Sequence, residues 1–268
     1  MDIPFIKMHG LGNDYIFFDC LNQNFINDPS QLSIRLSDRH FGIGADGIVL
    51  ILPSQKANLK MRIFNADGSE AEMCGNAIRC IAKYIFELNP NNCKQLTVDT
   101  LAGLISVKIN TNTNNKFISA TVNMGMPKIT KQSIILNDNT TYKINCVNIG
   151  NPHAVVFVDD ITDLQVLKHG SEIENYPIFS NKTNVEFAKI IDKNTIKMRV
   201  WERGTGETLA CGTGATATAA AAFANKLTNK NITVKLLGGE LQLKQTAKKN
   251  IYMTGTAQKV FTGIIKIN

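Results

Sequence analysis

Cys74 and Cys211 are the residues of this 268-residue chain whose type and setting most directly suggest chemistry. They lie in Asn65-Ala-Asp-Gly-Ser-Glu-Ala-Glu-Met-Cys-Gly-Asn76 and Glu202-Arg-Gly-Thr-Gly-Glu-Thr-Leu-Ala-Cys-Gly-Thr213. Each follows a strand-like segment and a glycine-containing turn, and each precedes a helix-like run. Unpaired N–H groups and the helix dipole favour anions at a helix start, which lowers a thiol's pKa and offers a seat for a carboxylate. Two such thiols suit a reaction in which one group removes a proton from one face of a carbon and the other returns one to the opposite face. Stereoinversion beside a carboxylate fits. A lone Cys-Gly reads as a small buried residue at a tight turn, and its duplication favours the functional reading. Cys20, Cys80, Cys93 and Cys146 have no counterpart and read as core.

The duplication extends beyond the cysteines. Lys60-Met-Arg-Ile-Phe64 matches Lys197-Met-Arg-Val-Trp201 at an offset of 137, which also relates Glu70 to Glu207 and Cys74 to Cys211. Upstream, Gly12-Asn13 echoes Gly150-Asn151. Downstream, Thr97-Val98 and Gly103 match Thr233-Val234 and Gly239 at an offset of 136. Three collinear anchors imply two halves of one fold. The expected fold is therefore α+β, with two pseudo-symmetric domains, each a curled mixed sheet around a central helix, and the active site in the cleft between them. The halves are placed at 1–118 and 119–262, with 263–268 open to returning to the first. Ala77, Ile78, Ile81, Ala82, Ile85 and Leu88 mark the first helix, which Asn89-Pro90 ends. Gly214 to Ala224 marks the second, apolar all round and so buried on every side.

Composition narrows the function classes. With 44% hydrophobic and 19% charged residues the chain is ordinary globular. The net charge of +7 is spread over scattered lysines and aromatics are 7%, so neither a basic stripe nor a stacking platform points to nucleic acid. The start carries Asp2 and Pro4 where a signal peptide needs basic and apolar regions, and no run reaches the ~18 apolar residues of a spanning helix. The expectation is a cytoplasmic protein without membrane or nucleic-acid partners. The six cysteines show no C-x-x-C pair, which speaks against a disulfide framework or zinc site.

Seven ordered motifs resemble one family. They are Met8-His-Gly-Leu-Gly-Asn-Asp-Tyr15, Asp38-Arg39 with Phe41-Gly-Ile-Gly-Ala-Asp46, Asn65-Ala-Asp-Gly-Ser-Glu70, Met73-Cys-Gly-Asn-Ala-Ile-Arg79, Gly150-Asn-Pro-His153, Thr183-Asn-Val-Glu-Phe187, and Trp201-Glu-Arg-Gly-Thr-Gly-Glu207 with Ala210-Cys-Gly-Thr-Gly214. The chain is similar to the diaminopimelate epimerases over essentially its whole length. The resemblance implies cofactor-independent interconversion of L,L- and meso-diaminopimelate, feeding lysine and peptidoglycan synthesis, with Cys211 as proton acceptor and Cys74 as donor in the forward direction. No metal and no pyridoxal phosphate are expected.

By the same resemblance Gly75, Asn76, Gly212 and Thr213 hold the carboxylate at the reacting carbon, and Asn13, Asn65, Asn151, Asn184 and Arg203 bind substrate. His153 and Glu202 lie near the thiols, Glu202 also meeting substrate. The family is commonly homodimeric. Many relatives carry Gln where this chain has Gly47, so that substrate contact is expected to be missing. Two rivals remain at this level: a proline or hydroxyproline isomerase of similar architecture, and a non-catalytic amino-acid-binding module. Arg203 with Asn65 and Asn184 favours the longer diacid over the first, and the paired thiols disfavour the second.

Overall fold

The computed structural model describes residues 2–22, 26–91 and 93–266. The elements run β1 (Asp2–Gly10), β2 (Asn13–Asp19), α1 (Pro29–Ser37), β3 (Gly47–Leu52), β4 (Leu59–Asn65), β5 (Glu70–Ala71), α2 (Gly75–Leu88), β6 (Gln95–Thr100), β7 (Gly103–Thr111) and β8 (Phe117–Asn123). They continue with β9 (Lys128–Ile135), β10 (Thr141–Asn148), β11 (Pro152–Phe157), a π-helical turn (Leu164–His169), α3 (Gly170–Glu174), β12 (Asn184–Asp192), β13 (Thr195–Glu202) and β14 (Gly206–Thr208). Last come α4 (Gly212–Ala224), β15 (Asn231–Leu236), β16 (Gly239–Gln245), β17 (Ile251–Gly255) and β18 (Gln258–Lys266).

The chain divides into two compact units, one of residues 1–122 with 255–268 and one of residues 123–254. In the first, the hydrogen-bonded order is β18-β1-β2-β3-β4-β6-β7-β8, with β2–β3 and β4–β6 parallel and the other pairs antiparallel. In the second, the order is β9-β10-β11-β12-β13-β15-β16-β17, with parallel pairs at the same two places. Even the register repeats: Lys60 faces Asp99, and Lys197 faces Lys235. In both units an arginine of the central strand grips a glutamate of the short strand beside it. Arg62 bonds Glu70 at 2.7 and 2.8 Å, and Arg199 bonds Glu207 at 2.6 and 2.9 Å.

The domain boundary differs from the sequence reading. The whole of β18, not only residues from 263 onward, belongs with the first unit, because it pairs with β1 from Asp2↔Lys266 to His9↔Gln258. It fills the edge position that β9 fills beside β10, so the second unit completes its sheet with its own first strand and the first unit with the last strand of the chain.

Each sheet has a helix on both faces. Helix α2 packs on β1, β2, β7 and β18, strands from both ends of the sheet order, which requires the sheet to bend round it. Helix α4 packs on β10, β11, β12, β15 and β16, and residues Gly212 to Phe223 are all buried. The methyl side chains of Ala219 to Ala222 let strands approach on every side. On the outer face of the first sheet α1 covers Ile16, Phe18, Ile48 and Leu50. Asp28 starts it by accepting the Gln31 N–H, with Pro29 in its first turn. In the second unit Val166 and Ile173 of the π-helical turn and α3 cover Ala154, Val156, Val185 and Phe187.

Candidate active site

Cys74 and Cys211 occupy the same local position in their units. Each is the N-cap residue of the buried helix with extended backbone, φ −137° and ψ 115° for Cys74, φ −117° and ψ 113° for Cys211. Gly75-Asn76 and Gly212-Thr213 therefore form the first turns of α2 and α4, where N–H groups lack intrahelical partners.

In the first unit the half-buried Cys74 donates its S–H to Asn13 Oδ1 at 3.5 Å, and Asn76 Nδ2 donates to the same oxygen at 3.0 Å. The other end of the Asn13 amide is anchored: Nδ2 donates to Asp46 Oδ2 at 2.7 Å. Asp46 also accepts the Asp14 N–H at 3.0 Å and Arg39 at 2.8 Å. Burial and the neighbouring Asp14 charge push the Asp46 carboxyl up. For Asp14, Arg39 and Lys7 outweigh burial and hold the carboxyl below its ordinary value. Behind Asn76 lies the fully buried Arg79, whose guanidinium donates to Asn76 Oδ1 at 2.8 Å and to the Thr256 carbonyl at 3.1 Å. Asn65 stands apart from these bonds, its Nδ2 donating to Ser69 Oγ at 3.0 Å within the turn after β4.

The second unit assembles a larger set. The Cys211 sulfur accepts the Gly214 N–H at 3.3 Å and lies 3.4 Å from Thr213 Oγ1. Asn151 Nδ2 donates to that hydroxyl at 3.3 Å, and Asn151 Oδ1 accepts from His153 Nε2 at 2.9 Å. Glu202 is hydrogen-bonded to Cys211 and accepts from Thr208 Oγ1. Asn184, at the start of β12, bonds backbone at both ends of its amide: Nδ2 to the Pro152 carbonyl at 2.9 Å and Oδ1 to the Arg203 N–H at 3.0 Å. It thus ties the Asn151-Pro152 turn to the loop carrying the exposed Arg203.

The expected lowering of the thiol pKa at the helix start is overturned for Cys211. Burial first, and then the charges of Glu202 and Glu186, push its thiol well above the ordinary value, against the bonds from Thr213 and Gly214. Burial likewise pushes the Glu202 carboxyl up. Both groups of this pair hold a proton more firmly than they would in water, and their hydrogen bond lets one proton sit on either. Of the remaining cysteines, Cys20 and Cys80 are buried and Cys146 is partly buried against the core of the second unit, while Cys93, also only partly buried, departs from the core reading.

Sequence reasoning passed over Glu186, Asp46 and Arg79, although all three lie inside the quoted motifs. The available signal was a charged residue within an otherwise apolar run, as in Asn184-Val-Glu-Phe187. Among the described residues no three His, Cys, Asp or Glu side chains gather as a metal would require, and no helix is long and apolar enough to cross a membrane.

The family model for diaminopimelate epimerase matches residues 5–130 and 145–260. The chain belongs to the diaminopimelate epimerase family. Among similar curated relatives, the diaminopimelate epimerase of Methanococcus maripaludis is 48% identical, covering 99% of this chain and 100% of its own length. That of Acetivibrio thermocellus is 46% identical, covering 98% of this chain and 99% of its own length. The fold is shared more widely. A probable proline racemase from Agrobacterium radiobacter superposes with a TM-score of 0.76 at 15% identity, over 99% of this chain and 93% of its own.

Proposed function

We propose that the protein is a cofactor-independent, two-base epimerase that interconverts L,L-diaminopimelate and meso-diaminopimelate. The observation that carries this reading is a cysteine capping the equivalent buried helix in each repeated unit of a chain from this family. In the forward direction the Cys211 thiolate takes the α-proton. The electron pair left on carbon spreads into the adjacent carboxylate, which the N–H groups of Gly75-Asn76 and Gly212-Thr213 receive. The Cys74 thiol then delivers its proton to the opposite face. The cycle ends with Cys211 as thiol and Cys74 as thiolate, and the reverse reaction exchanges their roles.

The hydrogen bonds support this direction. Cys211 accepts the Gly214 N–H, lies beside the Thr213 hydroxyl and has Glu202 to take its proton, whereas Cys74 offers its hydrogen to the neutral Asn13 amide. Glu202 receives the Cys211 proton before turnover, and His153 tunes the same thiol through Asn151 and Thr213. Asn13, Asn65, Asn151, Asn184 and Glu202 contact the diamino diacid, and Arg203 grips its distal carboxylate in bidentate fashion. The enzyme works as a homodimer in the cytoplasm, needs neither metal nor pyridoxal phosphate, and supplies lysine and peptidoglycan precursors.

Incubation with L,L-diaminopimelate in heavy water tests the proposal. Deuterium should enter the α-position while meso product forms, and free proline should neither exchange nor inhibit. A protein that binds diaminopimelate without exchange would be the non-catalytic module.

A further inference from the structure

Glu174 ends α3 and is 5% exposed, yet both its oxygens bond to the segment that carries Arg203. Its Oε2 accepts the Trp201 indole N–H at 2.7 Å, and its Oε1 accepts the Gly204 backbone N–H at 2.9 Å. Lys182 Nζ lies 3.4 Å from the same Oε1. An indole nitrogen and a backbone amide can only donate, so the carboxyl accepts from both and the sense of these bonds is fixed. Burial opposes ionisation, but the indole, the Gly204 N–H and Lys182 outweigh it and hold the Glu174 carboxyl below its ordinary value.

These bonds bear on a short hairpin. Strands β13 and β14 pair as far as Glu202↔Gly206, the Thr205 N–H donates to the Glu202 carbonyl at 3.1 Å, and Arg203 and Gly204 lie at the tip. Gly204 has φ 74°, a left-handed conformation that suits glycine. The base of the hairpin is seated on α3 through Trp201, so closely that a Cβ at Gly170 would come within 2.9 Å of the Trp201 Cβ. The exposed Arg203 reaches the other way, its Nη1 donating to the Asn181 carbonyl at 3.2 Å, beside Lys182. Glu174 therefore holds both segments that place this guanidinium, one through Gly204 and the other through Lys182.

We propose that Glu174 is a positioning residue that fixes where Arg203 presents its guanidinium, and so sets the preference of the site for a substrate with a distal carboxylate. This rests on the reading of Arg203 as the group that grips that carboxylate. A bidentate pair needs both N–H groups in line with both carboxylate oxygens, and a hairpin tip that swings loses that alignment. Glu202, at the base of the same hairpin, has anchors of its own in Thr208 and Cys211.

Glu174→Met removes both acceptors at similar volume. KM for diaminopimelate should rise about 10-fold, the size of one hydrogen bond to a charged group, while kcat changes by less than about threefold. A merely structural role would lower the active fraction, and with it the apparent kcat, at unchanged KM. Arg203→Ala should raise KM at least as far, and adding Glu174→Met to it should raise KM no further, because the two act through one guanidinium. Should Glu174→Met fail to fold, Glu174→Gln, with one oxygen for two fixed donors, should raise KM in the same direction by a smaller factor. The chain has a single tryptophan, so its one indole N–H resonance can be followed by NMR together with the Gly204 and Arg203 amides. All three should exchange with solvent faster in the Glu174 variant than in wild type. An unchanged KM, a full further rise in the Arg203→Ala background, or unaltered exchange at Gly204 would overturn the assignment. A wild type that fails to turn over diaminopimelate would instead overturn the proposed function, and the exchange rates would still decide whether Glu174 holds the Arg203 hairpin.

Discussion

Cys74 donates its thiol hydrogen to Oδ1 of Asn13, 3.5 Å away. The equivalent thiol in the other unit is bonded differently, since Cys211 accepts from Gly214 at 3.3 Å and shares a hydrogen bond with the Glu202 carboxyl. Two units that agree in strand order, register and ion pairs thus differ at their reactive groups. Asp46 fixes the first case by holding the Asn13 nitrogen, so that only the amide oxygen can face the thiol. The difference predicts the effect of Thr213→Val, which keeps the backbone N–H and removes the hydroxyl beside Cys211. Loss of one hydrogen bond of about 1 kcal/mol should lower kcat roughly fivefold. The limb of the pH–rate profile that reports Cys211 should move to higher pH, and Thr213→Ser should restore it.

Replacing either thiol should stop the reaction. Cys74→Ala and Cys211→Ala should each lose epimerisation while unfolding at close to the wild-type temperature, because a two-base transfer ends when either base is missing. The double variant should be no worse than the singles, as for residues that act as a unit. Near-normal turnover by either single variant, measured by product stereochemistry, would end the two-thiol mechanism.

What could be read in the sequence follows the range of the forces involved. The helix of Gly214 to Ala224 was legible because an unbroken small apolar run can only be buried, and the cysteines were legible because the repeat marks them twice. Strand β18 was read only in part, since its partner β1 lies some 260 residues earlier and no local signal records that pairing. Glu186 and Asp46 escaped for the same reason. A carboxylate in a strand or loop looks solvated until distant elements enclose it, and here the enclosing groups are His153 of β11 and Asn13 of β2.

Gly47 shows the same dependence on distant contacts. It lies in β3 between Tyr15 and Asn65, and a Cβ there would stand 2.0 Å from the Phe64 carbonyl oxygen. The glutamine that many relatives carry at this place therefore cannot be installed here without moving β4. Gly47→Gln should destabilise the protein by about 2 kcal/mol or more, the range of overpacked cores, and should not tighten substrate binding. Urea unfolding and KM measured together check both halves; an unchanged midpoint would show that the strands yield.

A final prediction concerns Cys80, one turn and a half beyond Cys74 in α2 and 1% exposed. Burial pushes its thiol up to about 12 from an ordinary value of 9.0, although the Arg79 charge opposes the rise. The native state therefore keeps this proton at a pH where the unfolded chain releases it. The contribution of the thiol to stability is full below about pH 9 and is lost progressively as pH rises toward 12. One pH unit above the unfolded value corresponds to about 1.4 kcal/mol. Cys80→Ala has no thiol to titrate, so its stability deficit relative to wild type should narrow by about that amount between pH 8 and pH 10. Urea unfolding at the two pH values, under reducing conditions, measures the deficit directly. A gap that stays constant would mean that the Cys80 thiol titrates alike in the folded and unfolded chain, and that the interior around Arg79 is far more polar than its burial implies.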